Sequence, residues 1–175
     1  MAVNLQHLQT IAFEVYERGN RLLGLASVDL PNIEFESTDV KGSGLAGTLS
    51  VPTRGHTANL ELTLHWRAIF ETPLRLLRGQ SVMLSLREAI ETYDAALGEL
   101  KSKALRIDIR GLPASLNLGK LEPASEMESE LKINLDYLKV VVGGQSTLLE
   151  IDKENFVYSI DGSDFLGDVR NALGL

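Results

Sequence analysis

No cysteine occurs among the 175 residues, which excludes disulfides, thiolate metal sites and cysteine nucleophiles. No apolar run approaches the ~20 residues of a membrane-spanning helix, because charges interrupt every hydrophobic stretch. The segment from Met1 to Thr10 has neither the basic start nor the apolar core of a secretory signal, and the chain reads as a cytoplasmic product. Basic charge is also short, with 17 Lys and Arg against 24 Asp and Glu for a net charge of -7. That balance opposes general attraction to nucleic acid phosphates and disfavours a DNA reader. Histidine is sparse, and His7, His56 and His65 do not stand at the helical spacing with glutamate that a zinc hydrolase motif requires.

What is present suits one folded domain spanning residues 1–175: hydrophobic residues make up 44% and charged residues 23%, near the values of ordinary globular chains. Period-two alternation dominates. Ile11, Phe13 and Val15 oppose Glu14, and the turn residues Glu17 to Asn20 then lead into an extended stretch from Leu23 to Leu30, which together predict an opening β-hairpin. After the break at Pro31-Asn32, Ile33 and Phe35 face away from Glu34 and Glu36, a short strand with one wet side. Leu49 to Val51 is extended, and His56 falls in a turn. The clearest alternation runs from Asn59 to Trp66, with Leu60, Leu62, Leu64 and Trp66 against Glu61, Thr63 and His65. Further strands are predicted over Ala104–Gly111, Leu131–Tyr137, Leu148–Asp152 and Phe156–Ile160, with a hairpin turn at Gly143-Gly144.

Helical signals are few. Thr72 as cap, Pro73 at the first turn and Gly79 past the end predict a short helix. Gly162-Ser163-Asp164 precedes a run in which Leu166, Val169 and Leu173 share a face and Gly174 ends the helix. Between Val82 and Leu100 the pattern is undecided, since Val82, Leu84 and Leu86 alternate while Ile90, Tyr93, Leu97 and Leu100 recur at helical spacing. The reading is a mostly β chain, an antiparallel sandwich or barrel with a short internal helix and a C-terminal helix.

No constellation carries catalysis. The run Gly42-Ser43-Gly44-Leu45-Ala46-Gly47 matches G-x-G-x-x-G, but strand pattern follows it where a dinucleotide site needs a helix. It reads as a loop, either merely flexible or held for contact with a partner. Glu34/Glu36 and Glu150/Asp152 alternate along strands, and five acids with one lysine between Glu122 and Asp136 read as solvated surface. No G-x-S-x-G elbow is present. Catalytic, cofactor and metal sites are therefore all expected to be absent. Two rivals stay open on these grounds: a carboxylate-based β-barrel enzyme, and a monomeric barrel holding a small apolar ligand.

From Tyr137-Leu138-Lys139 through Leu149-Glu150-Ile151-Asp152 to Ile160-Asp161-Gly162-Ser163-Asp164 and Val169-Arg170-Asn171-Ala172-Leu173-Gly174-Leu175, the chain resembles the major tail tube proteins of contractile-tailed phages and R-type pyocins. Val28-Asp29-Leu30-Pro31-Asn32-Ile33, the glycine loop after Val40-Lys41, Leu60 to Leu64 and Ile109-Arg110-Gly111 fall in that family's order, and type VI secretion tubes share the plan. The resemblance implies a non-enzymatic subunit of a virion tail or phage-tail-like particle, assembled in the bacterial host cytoplasm, that forms hexameric rings stacked into a tube for DNA delivery or envelope puncture. It implies as partners the chain itself, the sheath, baseplate or tube initiator, and tail terminator proteins, with DNA passing through the lumen unbound and no membrane insertion. On that plan Lys41, Gly42, Ser43, Gly44, Leu45, Ala46 and Gly47 contact the next ring, and Glu34, Glu36, Glu61, Thr63 and His65 line the lumen.

Overall fold

A computed structural model describes residues 5–22 and 24–175. The strand built on the clearest alternation, β6 (Leu60–Trp66), sits at the centre of the core, where Leu60, Leu62, Leu64 and Trp66 are buried. It pairs antiparallel with the first half of β9 (Ser129–Val142), setting Leu60 opposite Leu135, Leu62 opposite Ile133 and Leu64 opposite Leu131. Burying each such side chain is worth roughly 1.5–3 kcal/mol. This is the hydrophobic seam on which the other strands are hung.

Around it the main sheet runs β12–β11–β10–β9–β8–β7–β1–β2, with β6 joined to β9 and β3 joined to β6. Its members are β1 (Leu5–Glu17), β2 (Asn20–Arg21), β3 (Leu25–Asp29), β7 (Val82–Asp94), β8 (Glu99–Asn117), β10 (Ser146–Asp152), β11 (Val157–Ile160) and β12 (Ser163–Asp164). The sheet rolls so that Val15, Leu84, Leu86, Ile107, Ile109 and the β6 and β9 residues share one cluster. Among the described residues no ladder joins β1 to β3, so the roll is an open barrel.

β9 serves two partners along one edge. Residues up to Leu135 pair with β6, and residues from Tyr137 onward pair with β10. Asp136 stands between, at a register shift against β8 that passes from Arg110–Tyr137 to Gly111–Leu135. Its carboxylate accepts from Arg110 Nε at 2.9 Å, and its carbonyl accepts the Lys153 N–H at 2.9 Å. Such a bulge re-aims a strand by adding one residue. Only glycine fits opposite: a Cβ on Gly111 would lie 2.2 Å from the Asn134 carbonyl oxygen.

Several expectations are corrected. The turn after β1 returns only Asn20–Arg21 to it, whereas Leu25–Asp29 crosses to pair with β6; Leu23 lies outside the described residues. Val82–Asp94 is a strand throughout, because its distal half continues the ladder with β1 and β8 past the core. The internal helix α1 is Glu71–Leu76, with Phe70 as cap and no side-chain cap bond, so Thr72 sits inside it. Ser163 and Asp164 form β12, and the last helix α2 (Gly167–Leu173) starts after Leu166 and closes at the left-handed Gly174. Leu173 is exposed rather than packed.

Apart from the main sheet, β4 (Phe35–Val40) and β5 (Leu49–Thr57) form a separate two-stranded ribbon. Its register jumps from Phe35–Thr57 to Ser37–Pro52, so residues 53–56 bulge out of β5, and His56 lies in that strand and not in a turn. The bulge is gripped by the C-terminal segment. Arg54 Nη2 meets Asp168 Oδ2 at 2.8 Å, and the position of a Cβ on Gly55, at φ +74, lies 2.5 Å from Leu166. Phe35 stands edge-on to Tyr158 at 5.6 Å, and Tyr158 contacts Phe165 at 5.9 Å. Lys153 Nζ donates to the carbonyls of Thr57 and Ala58 at 3.3 and 2.7 Å. These contacts clasp the ribbon at its base.

Two outcomes follow from this architecture. Gly111→Ala should lower unfolding free energy by about 2 kcal/mol in urea titration, whereas Gly42→Ala, with open space around it, should leave the midpoint unchanged. Arg54→Ala should raise amide hydrogen exchange across Leu49–Thr57 while β6 keeps its protection, and unaltered exchange in the ribbon would show the clasp to be idle.

Candidate functional site

The ribbon is the most exposed element of the chain. Every residue of β4 is exposed and so are the first six of β5. Phe35, Val40, Leu49 and Val51 are between 40% and 52% exposed, which corrects the expectation that this strand has one wet side and one buried side. A lone two-stranded ribbon with apolar side chains in water is marginally stable, and contiguous exposed apolar surface marks an interaction site.

The glycine run lies at its tip. Lys41, Gly42, Ser43, Gly44, Leu45, Ala46 and Gly47 fall in the connection between β4 and β5, all of them exposed. Gly44 and Gly47 adopt φ of +101 and +139, a region that side chains disfavour. Leu45 N–H closes a turn on the Gly42 carbonyl at 3.2 Å. The loop therefore presents its backbone and Leu45 outward at the end of a projecting arm.

The structure divides the acidic candidates into two places. Glu34 and Glu36 belong to the ribbon side, where Asn32 Nδ2 donates to Glu34 at 2.7 Å and the Glu34 carbonyl accepts the Ala58 N–H at 2.8 Å. Glu61, Thr63 and His65 stand on the outer face of β6. Lys132 Nζ donates to Glu61 at 2.9 Å, and that bond is the first cause raising the lysine above its ordinary pKa. His65 Nε2 lies 2.9 Å from Asp29 and Nδ1 lies 3.6 Å from Glu130. Thr63 is only 8% exposed, lying between Asp29 on β3 and Lys132 on β9 in the ladder. With Asp29, Glu61 and Glu130 against Lys132, this face is acidic.

Among the described residues no group of His, Asp and Glu is arranged to hold a metal. Several charged side chains of the main sheet are paired with one another. Arg110 bridges Asp136 and Glu154, each at 2.9 Å, and Tyr137 donates to Glu150 at 2.8 Å. Burial, followed by that carboxylate, pushes the Tyr137 hydroxyl well above its usual pKa, so it stays protonated and serves as a donor. The Asp168 and Asp164 carboxyls are held below the usual range first by their bonds to Arg54 and Arg170. Both reinforce the clasp, which local sequence pattern did not reveal; the one local hint was Gly55 inside an otherwise β-prone segment.

The profile of the phage tail tube protein FII family matches residues 9–174. The major tail tube protein of Serratia phage KSP20 is 26% identical over 165 residues, covering 93% of this chain and 94% of the relative. A chain from the cryo-EM structure of the extended PVC sheath/tube terminator, part of an extracellular contractile injection system, superposes with a TM-score of 0.54 at 14% identity. That match covers 78% of this chain and 96% of the other, and it speaks for the fold. This family is one of structural tail tube proteins and not of enzymes. The chain belongs to the phage tail tube protein FII family, and it is a structural subunit of a phage tail tube, a component of the virion tail.

Proposed function

We propose that copies of this chain close into hexameric rings that stack into the inner tube of a contractile tail, with DNA passing down the bore without specific binding. The ribbon carries the reading. Its exposed apolar residues Val40, Leu49 and Val51 need cover, and a tube subunit finds that cover on other copies. The tip from Lys41 to Gly47 reaches the adjoining ring. Ahead of Val15 the outer edge of β1 is unpaired among the described residues, and this long stretch, dotted with exposed Leu8 and Ile11, is an aggregation hazard in a monomer and a joining edge in a closed ring. Sheath, initiator and terminator proteins complete the particle, in line with the fold shared with a sheath/tube terminator chain.

The lumen is assigned to the acidic outer face of β6, carrying Glu61, Thr63 and His65, with Asp29 and Glu130 beside them. Negative lining repels phosphates and keeps DNA from adhering. Of the original five candidates, Glu34 and Glu36 stand on the ribbon and are assigned to contact between copies.

Replacing Gly42, Gly44 and Gly47 with bulky residues should leave the main sheet folded, with strain confined to the exposed tip where Gly44 and Gly47 hold positive φ, but should abolish tubes in negative-stain micrographs; normal tubes would overturn the stacking role of the tip. Glu61→Lys in intact particles should slow DNA release, and release at the original rate would reject the lining.

A further inference from the structure

Charge on this acidic chain is unevenly placed. From Asp29 to Val40 the sequence holds four acids, Asp29, Glu34, Glu36 and Asp39, and no base. Among the described residues, Glu34, Glu36 and Asp39 enter no ion pair, although other acids of the sheet do. Asp29 belongs to β3, and over residues 34–57 Glu34, Glu36 and Asp39 stand with Lys41 and Arg54, of which Arg54 is already paired with Asp168. The unpaired charge on the ribbon is therefore acidic on balance, with apolar side chains interspersed.

The opposite character appears on the outer face of β1, β7, β8 and β9. A concavity of about 410 Å³ there is lined by Arg18, Arg87, Arg106 and Arg110, together with Tyr16 and Tyr137. Asp108 also lines it and pairs with Arg106, and Arg110 pairs with Asp136, whereas Arg18 and Arg87 enter no ion pair among the described residues; Glu14, opposite Arg87 in the ladder, is bonded to Arg21. Arg87 rests over the Tyr16 ring at 4.6 Å, its guanidinium left free to bond outward. An arginine held flat on an aromatic ring is preorganised for a carboxylate.

We propose that the acidic ribbon of one copy seats on this arginine- and tyrosine-lined concavity of an adjoining copy. The inference rests on the tube reading above and names the two surfaces that meet. Position favours it as well as charge. The ribbon is clasped beside β11 and the concavity centres on β7 and β8; β11 and β7 are four steps apart in the sheet, roughly 19 Å at ~4.8 Å per step. Two complementary patches at separate places on one subunit generate a head-to-tail contact that repeats from copy to copy. Apolar side chains meet apolar lining, with Val40, Leu49 and Val51 on one face of the ribbon and Met83 exposed at the concavity.

The test is charge exchange in assembling protein, with thermal melting to confirm that each variant is folded. Glu36→Lys with Asp39→Lys, and separately Arg18→Glu with Arg87→Glu, should each raise the concentration needed for tube growth by about tenfold or more. The four changes combined should restore growth to within about threefold of the unaltered chain. A reversed ribbon that assembles normally overturns the proposal, as does a fourfold variant no better than its parents. Normal tubes from Arg18→Glu with Arg87→Glu overturn it too, and assign the concavity to an acidic surface of another protein. Should either reversed variant melt early, Asp39→Asn and Arg87→Gln replace them and must each weaken growth, with the weakening shrinking in high salt; equal growth overturns the proposal. If the unaltered chain forms neither rings nor tubes, the tube reading itself falls, a result separable from all of these.

Discussion

One strand pairs with two others along the same edge, and the arrangement of the subunit depends on how it does so. Asp136 is the extra residue that lets β9 leave β6 and take up β10, and Gly111 is the missing side chain that lets the bulge close against β8. Without the fork, β10 and β11 would have no place beside β9, and the clasp built on Lys153, Tyr158 and Leu166 would have nothing to stand on. The Arg110 guanidinium fixes the branch by holding Asp136 and Glu154 together. Charge-assisted pairs of this kind contribute geometry more than raw stability when half in water.

The same branch gives the subunit two differently charged exteriors. Beyond β6 and β3 the surface is acidic, while beyond β1, β7 and β8 it is rich in arginine. Net charge alone, at -7, conveys only the first. A surface that is acidic on average and basic in one concavity can stay soluble as a subunit and still recognise a copy of itself in a single orientation.

Legibility in the sequence followed burial. Leu60 to Trp66 was readable because one face meets the core and the other meets water, so polarity alternates with the pleat. Ile90 and Tyr93 left the pattern undecided because the inward positions of distal β7 are the polar Thr92 and Asp94, both buried, so alternation of burial continues there without alternation of polarity. The destination of Leu25–Asp29 was hidden, since pairing with β6 is a long-range choice that local pattern does not encode. The glycine tip was legible as a loop from composition. Its elevation on a ribbon exposed on both sides was not, because exposed apolar residues such as Val51 look the same in sequence as buried ones. Thr63 counted as outward by parity, and it is outward, yet the neighbouring strands β3 and β9 leave it little access to water.

The ribbon is held only at one end, and that makes it a lever. Its strand from Phe35 to Val40 extends roughly 17 Å at ~3.4 Å per residue, so a turn of about 10° at the base carries the tip through about 3 Å, the length of a hydrogen bond. Arg54 with Asp168, Gly55 under Leu166 and Phe35 against Tyr158 therefore matter as bearings more than as sources of stability. Their angular play at the root determines how accurately Leu45 and the glycine tip are aimed.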